Sequence, residues 1–147
     1  MFIGQILELV NIKGENFRTF YDRSINVNVN SIQLSGTLDM VVATGFQVPK
    51  NPFFCVHERN AARYKQELKR DGDPKGQLLV EMIALQAINQ SENPIYGCYV
   101  LGRNWYFVVL KGKQYAVSDA FVATQEDIYL IFKMLKKVKE YIIEMTT

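Results

Sequence analysis

Histidine occurs once, tryptophan once, cysteine twice and proline four times in 147 residues, and each shortage narrows the chemistry open to the chain. His57 stands without a partner motif, so no Ser/His/Asp or Cys/His relay can be assembled around it, and hydrolysis by an activated side-chain nucleophile is disfavoured. Cys55 and Cys98 lie inside apolar runs with no metal-type spacing around either, which predicts buried reduced thiols. Charge of one sign is also in short supply. Seventeen basic residues against fifteen acidic ones leave a net +2, so any affinity for a polyanion must come from a local patch. No apolar run approaches a membrane span, and the opening Met1-Phe2-Ile3-Gly4-Gln5 has no basic segment ahead of a long apolar stretch. Both absences predict a cytosolic, cytoplasmic protein with no membrane contact.

What is present has an ordinary globular balance, 48% hydrophobic and 22% charged, and residues 1–147 read as a single domain with one core. Residues 3–10 suggest one or two helical turns, and 11–23 are polar enough for loop or mixed structure. From Ser24 onward Ile25, Val27 and Val29 alternate with Asn26, Asn28 and Asn30, the period of a half-exposed edge strand. A second strand over 32–44 carries Asp39, and a third over 53–56 runs into His57-Glu58-Arg59-Asn60. Residues 61–72 are charged, with a short helix or a loop equally open. Asp73-Pro74 then starts a helix that runs to about Asn89 and is apolar over most of its circumference, so it is expected against a sheet. Segments 95–101, 105–110 and 114–118, separated by short glycine turns, predict a three-stranded meander. Thr124 with Asp127 resembles a capping box, and Ile128, Ile131, Leu135, Val138 and Ile142 keep helical spacing almost to the end. The order predicts an α/β domain with a mixed sheet: three strands, a crossover helix, three more strands and a closing helix.

Three groups are candidates for one site. Asp39 interrupts an apolar strand, and a carboxylate withdrawn from water needs an ion pair, backbone hydrogen bonds or a bound cation. Glu58 ends the next strand, so a hairpin would bring two carboxylates to one end of the sheet. Mg²⁺ takes hard oxygen ligands of this kind, with waters and phosphate oxygens completing its shell. On the helix, Gln77 and Glu81 are four apart and share a stripe that either faces the carboxylates or meets solvent, with solvent slightly preferred for Glu81.

The run Gly36-Thr37-Leu38-Asp39, then Phe54-Cys55-Val56-His57-Glu58-Arg59-Asn60, then Gly76-Gln77 resembles the PD-(D/E)XK, or restriction-endonuclease-like, nuclease superfamily over most of the chain. The resemblance implies a central mixed sheet flanked by helices. It makes Asp39 and Glu58 ligands of Mg²⁺ or Mn²⁺ and Gln77 an accessory group, and it implies action on phosphodiester bonds of nucleic acid. The superfamily lysine falls at Asn60. An amide cannot supply the positive charge a developing pentacoordinate phosphate needs, so Arg63 or Lys65 would have to reach back, or the domain is a non-catalytic binding or assembly module of the same fold.

Arg59, Arg63, Lys65, Lys69, Arg70 and Lys75 gather after the third strand, where they suit phosphate contacts or form an ordinary solvated loop. Lys133, Lys136, Lys137 and Lys139 give the last helix a basic face. The aromatics of the meander stack bases if exposed and form core or a subunit interface if not. A centre this small seldom encloses a duplex alone, which predicts a homodimer or a partner protein.

Overall fold

The computed structural model describes residues 10–45, 49–59, 74–90, 92–124 and 126–146, without the side chains of 57–59. In chain order the elements are β1 (Arg18–Val29), β2 (Ile32–Ala43), β3 (Pro52–Arg59), α1 (Pro74–Asn89), β4 (Ile95–Leu101), β5 (Asn104–Lys111), β6 (Gln114–Val117), β7 (Phe121–Val122) and α2 (Asp127–Thr146). β1 and β2 form a long antiparallel hairpin whose two-residue turn is Asn30-Ser31. Both turn residues have positive φ, 49° and 68°, the backbone that lets a tight turn match the twist of its strands. β1 starts at Arg18, inside the stretch read from sequence as loop or mixed structure. Its polar residues obscure two anchors, because Phe17 and Phe20 are buried in different core clusters on either side of the sheet.

The sheet has seven strands in the order β1-β2-β3-β4-β5-β6, with β7 also pairing β5. Among the described residues every pairing is antiparallel except β3 with β4, the one step crossed by a helix. The α/β class and mixed sheet expected from the sequence are therefore found, and β1 is an edge strand.

The sheet is covered on both faces. Under α2, Ile131, Leu135, Val138 and Ile142 pack with Met40, Val42, Val56, Val100, Trp105 and Phe107. Under α1, Leu78, Met82 and Leu85 pack with Val41, Cys55, Tyr99 and Val108. Strands buried on both sides read as near-continuous apolar runs, which is why β3 and β4 show no alternation in sequence. Gly97 lets α1 come close: a Cβ there would lie 2.8 Å from the Met82 sulfur. At the start of α2 the Asp127 carboxylate accepts a hydrogen bond from the Val122 backbone N–H at 2.9 Å. It thus ties β7 to the helix, where the sequence suggested a box closed on Thr124. The expectations for residues 3–10 and 61–72 lie outside the described residues, apart from Val10, which is helical and buried.

Candidate functional site

Asp39 lies in β2, second from the sheet edge, and is half-buried. Its surroundings are irregular. The β1–β2 ladder pairs Tyr21 with Met40 and Arg23 with Leu38 but skips the intervening step, Asp22 opposite Asp39. Asp22 has a φ of 51°. The alternation of β2 breaks at the same point, because Leu38 and Val41 both join the cluster under α1 while Met40 joins the one under α2. Two like charges directly opposite one another are unfavourable in a strand pair, and the left-handed backbone, which aspartate tolerates better than most residues, lets the strands diverge locally. A cleft of about 410 Å³ opens beside this step between the hairpin and α1, with Asp22, Arg23, Leu38, Lys50 and Leu85 among its walls.

Glu58 belongs to β3 and is paired with Val100 of β4; its side chain lies outside the described residues. The last β2–β3 pair is Met40 with Val56. Asp39 is therefore one residue beyond that pair on its strand and Glu58 two beyond on the other, both at the end of the sheet where β3 finishes.

Gln77, half-buried, is in the first turn of α1, and its height over the sheet follows from two fixed points. Asn89 at the other end of the helix donates a side-chain hydrogen bond to the Pro52 carbonyl at the start of β3. Glu81 lies near Cys55, since burial, then the Glu81 carboxylate, then Cys98 push that thiol well above its ordinary value of 9.0. From Glu81 back to Gln77 the helix rises about 6 Å. From Cys55 on to His57 the strand advances about 6.6 Å. Gln77 consequently stands level with His57, and so with Asp39. Glu81 is only 6% exposed, which corrects the preference for solvent: its stripe faces the sheet because Leu78, Met82 and Leu85, on adjoining turns, dictate which side of α1 goes down.

Asp39, the backbone of Glu58 and Gln77 thus share one end of the sheet. Asn60, Arg63 and Lys65 lie outside the described residues, as does the side chain of Arg59. Among the described residues no group of three or more His, Cys, Asp or Glu side chains comes together.

The other surfaces sort clearly. Trp105 is fully buried and Phe107 and Tyr99 nearly so. Tyr99 stacks on Tyr106 with centroids 4.6 Å apart, and Tyr96 on Tyr141 at 5.5 Å. Most of the meander's aromatics therefore belong to the core and are not a base-stacking surface, although Tyr115 is exposed. On α2, Lys133, Lys136 and Lys137 are exposed, and Lys137 pairs with Glu140 at 3.5 Å. Among the described residues no helix is long and apolar enough to cross a membrane.

Sequence reasoning missed Asp22. Its neighbours Tyr21 and Arg23 hide any strand period, and only the hairpin register reveals that it faces Asp39; the two-residue Asn30-Ser31 turn was the available signal, because it fixes that register. Comparison of the chain with protein-family models, with curated proteins and with solved structures finds no match.

Proposed function

We propose that this chain is a restriction-endonuclease-like domain that binds a divalent cation through Asp39 and Glu58 and acts on phosphodiester bonds of nucleic acid. The observation that carries the reading is that Asp39, the backbone of Glu58 and the first turn of α1 lie at one level, at the carboxyl end of the parallel β3–β4 pair, around the only crossover among the described strands. Open α/β sheets bind their ligands at that kind of position. The strand order, a meander followed by a crossover helix and further antiparallel strands, agrees with the fold that the sequence resemblance implies.

The donors fit a hard cation. Carboxylate and amide oxygens suit Mg²⁺ or Mn²⁺, and Asp22, at the skipped step opposite Asp39, adds a further carboxylate to this end of the hairpin's core-bound half. When bound, such an ion offsets charge on a phosphate and makes a coordinated water more acidic. The chain's own residues do the rest: Asp39 and Glu58 hold the ion, and Gln77, at the height of Asp39, orients a water or a phosphate oxygen through its amide. Arg59 ends β3, Arg63 and Lys65 come soon after it in sequence, and all three are assigned to phosphate contacts.

A second reading is favoured by Asn60, which stands where the superfamily has its lysine. In it the domain is a non-catalytic binding or assembly module, and its contact surface is the outer side of α2, where Tyr129 is 76% and Leu130 45% exposed. A homodimer or a partner protein then covers that surface.

Calorimetric titration of Mn²⁺ into the wild type and into Asp39→Asn and Glu58→Gln separates the two. The enzyme reading expects micromolar binding that both substitutions abolish, followed by metal-dependent cleavage of DNA or RNA. Uptake no stronger than weak background in the wild type sets it aside in favour of the module.

A further inference from the structure

β6 closes one edge of the sheet, and its register shows which backbone groups it turns outward. β5 and β6 are joined by the turn Gly112-Lys113 and pair Lys111 with Gln114, Leu110 with Tyr115, Val109 with Ala116 and Val108 with Val117. The next N–H, that of Ser118, donates to the Phe107 carbonyl at 2.8 Å. Bonded and non-bonded pairs alternate along an antiparallel ladder, so Ala116 bonds back to Val109 and Gln114 to Lys111. Tyr115 and Val117 therefore direct their N–H and C=O groups away from β5, and among the described residues no strand lies beyond them.

A free edge is a template for another strand, and edges are commonly guarded by lysine, proline or a bulge. Apart from being short, β6 has none of these: no residue from Gln114 to Ser118 is charged or is proline, and the register with β5 is unbroken. Charges stand at its two ends instead. Lys113 precedes the strand and Asp119 follows it, both exposed and equally spaced about Ala116. Tyr115, 53% exposed, shares a face with Val117. On the other face Ala116 lines a groove of about 370 Å³ together with Met134, Lys137 and Tyr141 of α2. The β1 edge has no such pattern, because its ladder is interrupted at Asp22 and the stretch from Ser24 to Val29 has no charge to fix a register.

We propose that the chain forms a two-fold dimer in which β6 pairs antiparallel with β6 of a second copy, centred on Ala116, so that the two sheets become one. The pairing is independent of the metal site. A two-fold contact uses the same patch twice and must be self-complementary, and this edge is. With Ala116 at the centre, Tyr115 of each copy meets Val117 of the other and exchanges with it the backbone hydrogen bonds that both turn outward. Main-chain bonds of this kind give an added strand its affinity, and an aromatic side chain beside a β-branched one is a favourable cross-strand pair. Lys113 of each copy falls opposite Asp119 of the other, at both ends of the contact. Opposite charges favour a strand pair and like charges oppose it, so these residues select the antiparallel register over a parallel one that would set Lys113 beside Lys113. The second copy also closes the outer side of the groove, where Met134 and Tyr141 are 37% and 36% exposed.

Sedimentation velocity of the full chain, across the micromolar range and at low salt, tests this. The wild type is expected to be dimeric. Lys113→Asp and Asp119→Lys each set like charges opposite one another at both ends of the contact, and each is expected to weaken the dimer roughly ten-fold. The two substitutions combined restore opposite charges and should return the wild-type affinity. Tyr115→Pro removes an outward N–H and none of the β5–β6 hydrogen bonds, so it is expected to yield a monomer with unchanged far-ultraviolet circular dichroism. The charge exchange touches only exposed residues and decides even where proline disturbs the strand. The proposal is overturned if the wild type sediments as a monomer throughout, if the single reversals leave association unchanged, if their combination fails to restore it, or if the folded Tyr115→Pro variant remains a dimer. A dimer indifferent to all of these substitutions but dissociated by Leu130→Lys would overturn it in favour of a contact through the outer side of α2.

Discussion

Replacing Gly97 by alanine tests how α1 is seated, and with it the height of Gln77 over the site. Gly97 pairs with Cys55 and Val108, and the fully buried Leu78 and Met82 lie over it. A methyl group there would be 2.8 Å from Met82 Sδ, 3.2 Å from Met82 Cε and 3.3 Å from Leu78 Cδ2. Apolar atoms pack at about 3.5–4.0 Å, so either Met82 changes rotamer or α1 lifts from β4. One extra methyl in a packed core costs about 1–3 kcal/mol, and the flexible thioether of Met82 holds the cost to the lower half of that range. Against it stands a gain of about 0.4–1 kcal/mol from the stiffer unfolded chain, available because Gly97 is not among the glycines with positive φ. The net expectation is a destabilisation of about 0–1.6 kcal/mol. Gly36→Ala is the matched control: it is the same exchange in the same sheet, with nothing within 4 Å of the new methyl. It should stabilise by about 0.4–1 kcal/mol. Urea unfolding, with midpoints compared at unchanged slope, reads both. Shifts of the same sign and size at Gly97 and Gly36 would refute the close seating of α1 on β4.

Two other outcomes follow from buried groups. Asp127→Ala removes the acceptor for the Val122 N–H, and should cost about 1 kcal/mol and speed hydrogen exchange at Val122; unchanged exchange there would mean that β7 is held by its pairing with β5 alone. Cys55 and Cys98 are both fully buried, and desolvation is the main cause that pushes each thiol above its ordinary 9.0, with the Glu81 carboxylate the next contributor at Cys55. A raised folded pKa means that the unfolded chain loses its protons first, so stability is full below about pH 9 and falls as pH rises beyond it. The limiting slope is about 1.4 kcal/mol per pH unit for each thiol. Denaturation followed from pH 8 to pH 11 should show this decline, and Cys55→Ala/Cys98→Ala should flatten it; a double variant that declines as steeply as the wild type would place the cause elsewhere.

Where one face of an element meets water and the other meets the core, its sequence announced it. β1 from Ser24, α2 with its spacing from Ile128 to Ile142, and the meander with its glycine turns were legible on that account. α1 was legible through Asp73-Pro74 at its start, but its orientation was not, since a helix apolar nearly all round does not say which residues go down. Glu81 was misjudged for that reason: Leu78, Met82 and Leu85 pull its side under, and a carboxylate carried along by its neighbours leaves no mark in a pattern of hydrophobicity. The beginning of β1 was hidden in the opposite way, because Phe17 and Phe20 anchor to different clusters and no single period joins them. Of the site, the sequence marked Asp39, Glu58 and the Gln77/Glu81 pair as candidates by residue type and position, and the resemblance gave the first three their roles, while the common level of Asp39, the Glu58 backbone and Gln77 over the sheet is a product of register and helix height that only three dimensions supply.

The Asp22/Asp39 step connects these findings. Inward of it, β1 and β2 contribute Phe20, Val41, Val42 and Ala43 to the core, and their side chains are chosen by packing. Outward of it, packing constrains only one face, and the other is free to carry asparagine, glutamine, serine and threonine. A carboxylate pair at the boundary would be costly in a regular ladder, and the chain meets the cost with a skipped pair and a left-handed residue. That solution makes the step a boundary between two stretches under different rules. Packing therefore accounts for the inner half of the hairpin and for the half-buried side chains of its outer half, Ile25, Val27, Val29 and Leu34, while the exposed amides and hydroxyls meet solvent on the open face of an edge strand pair.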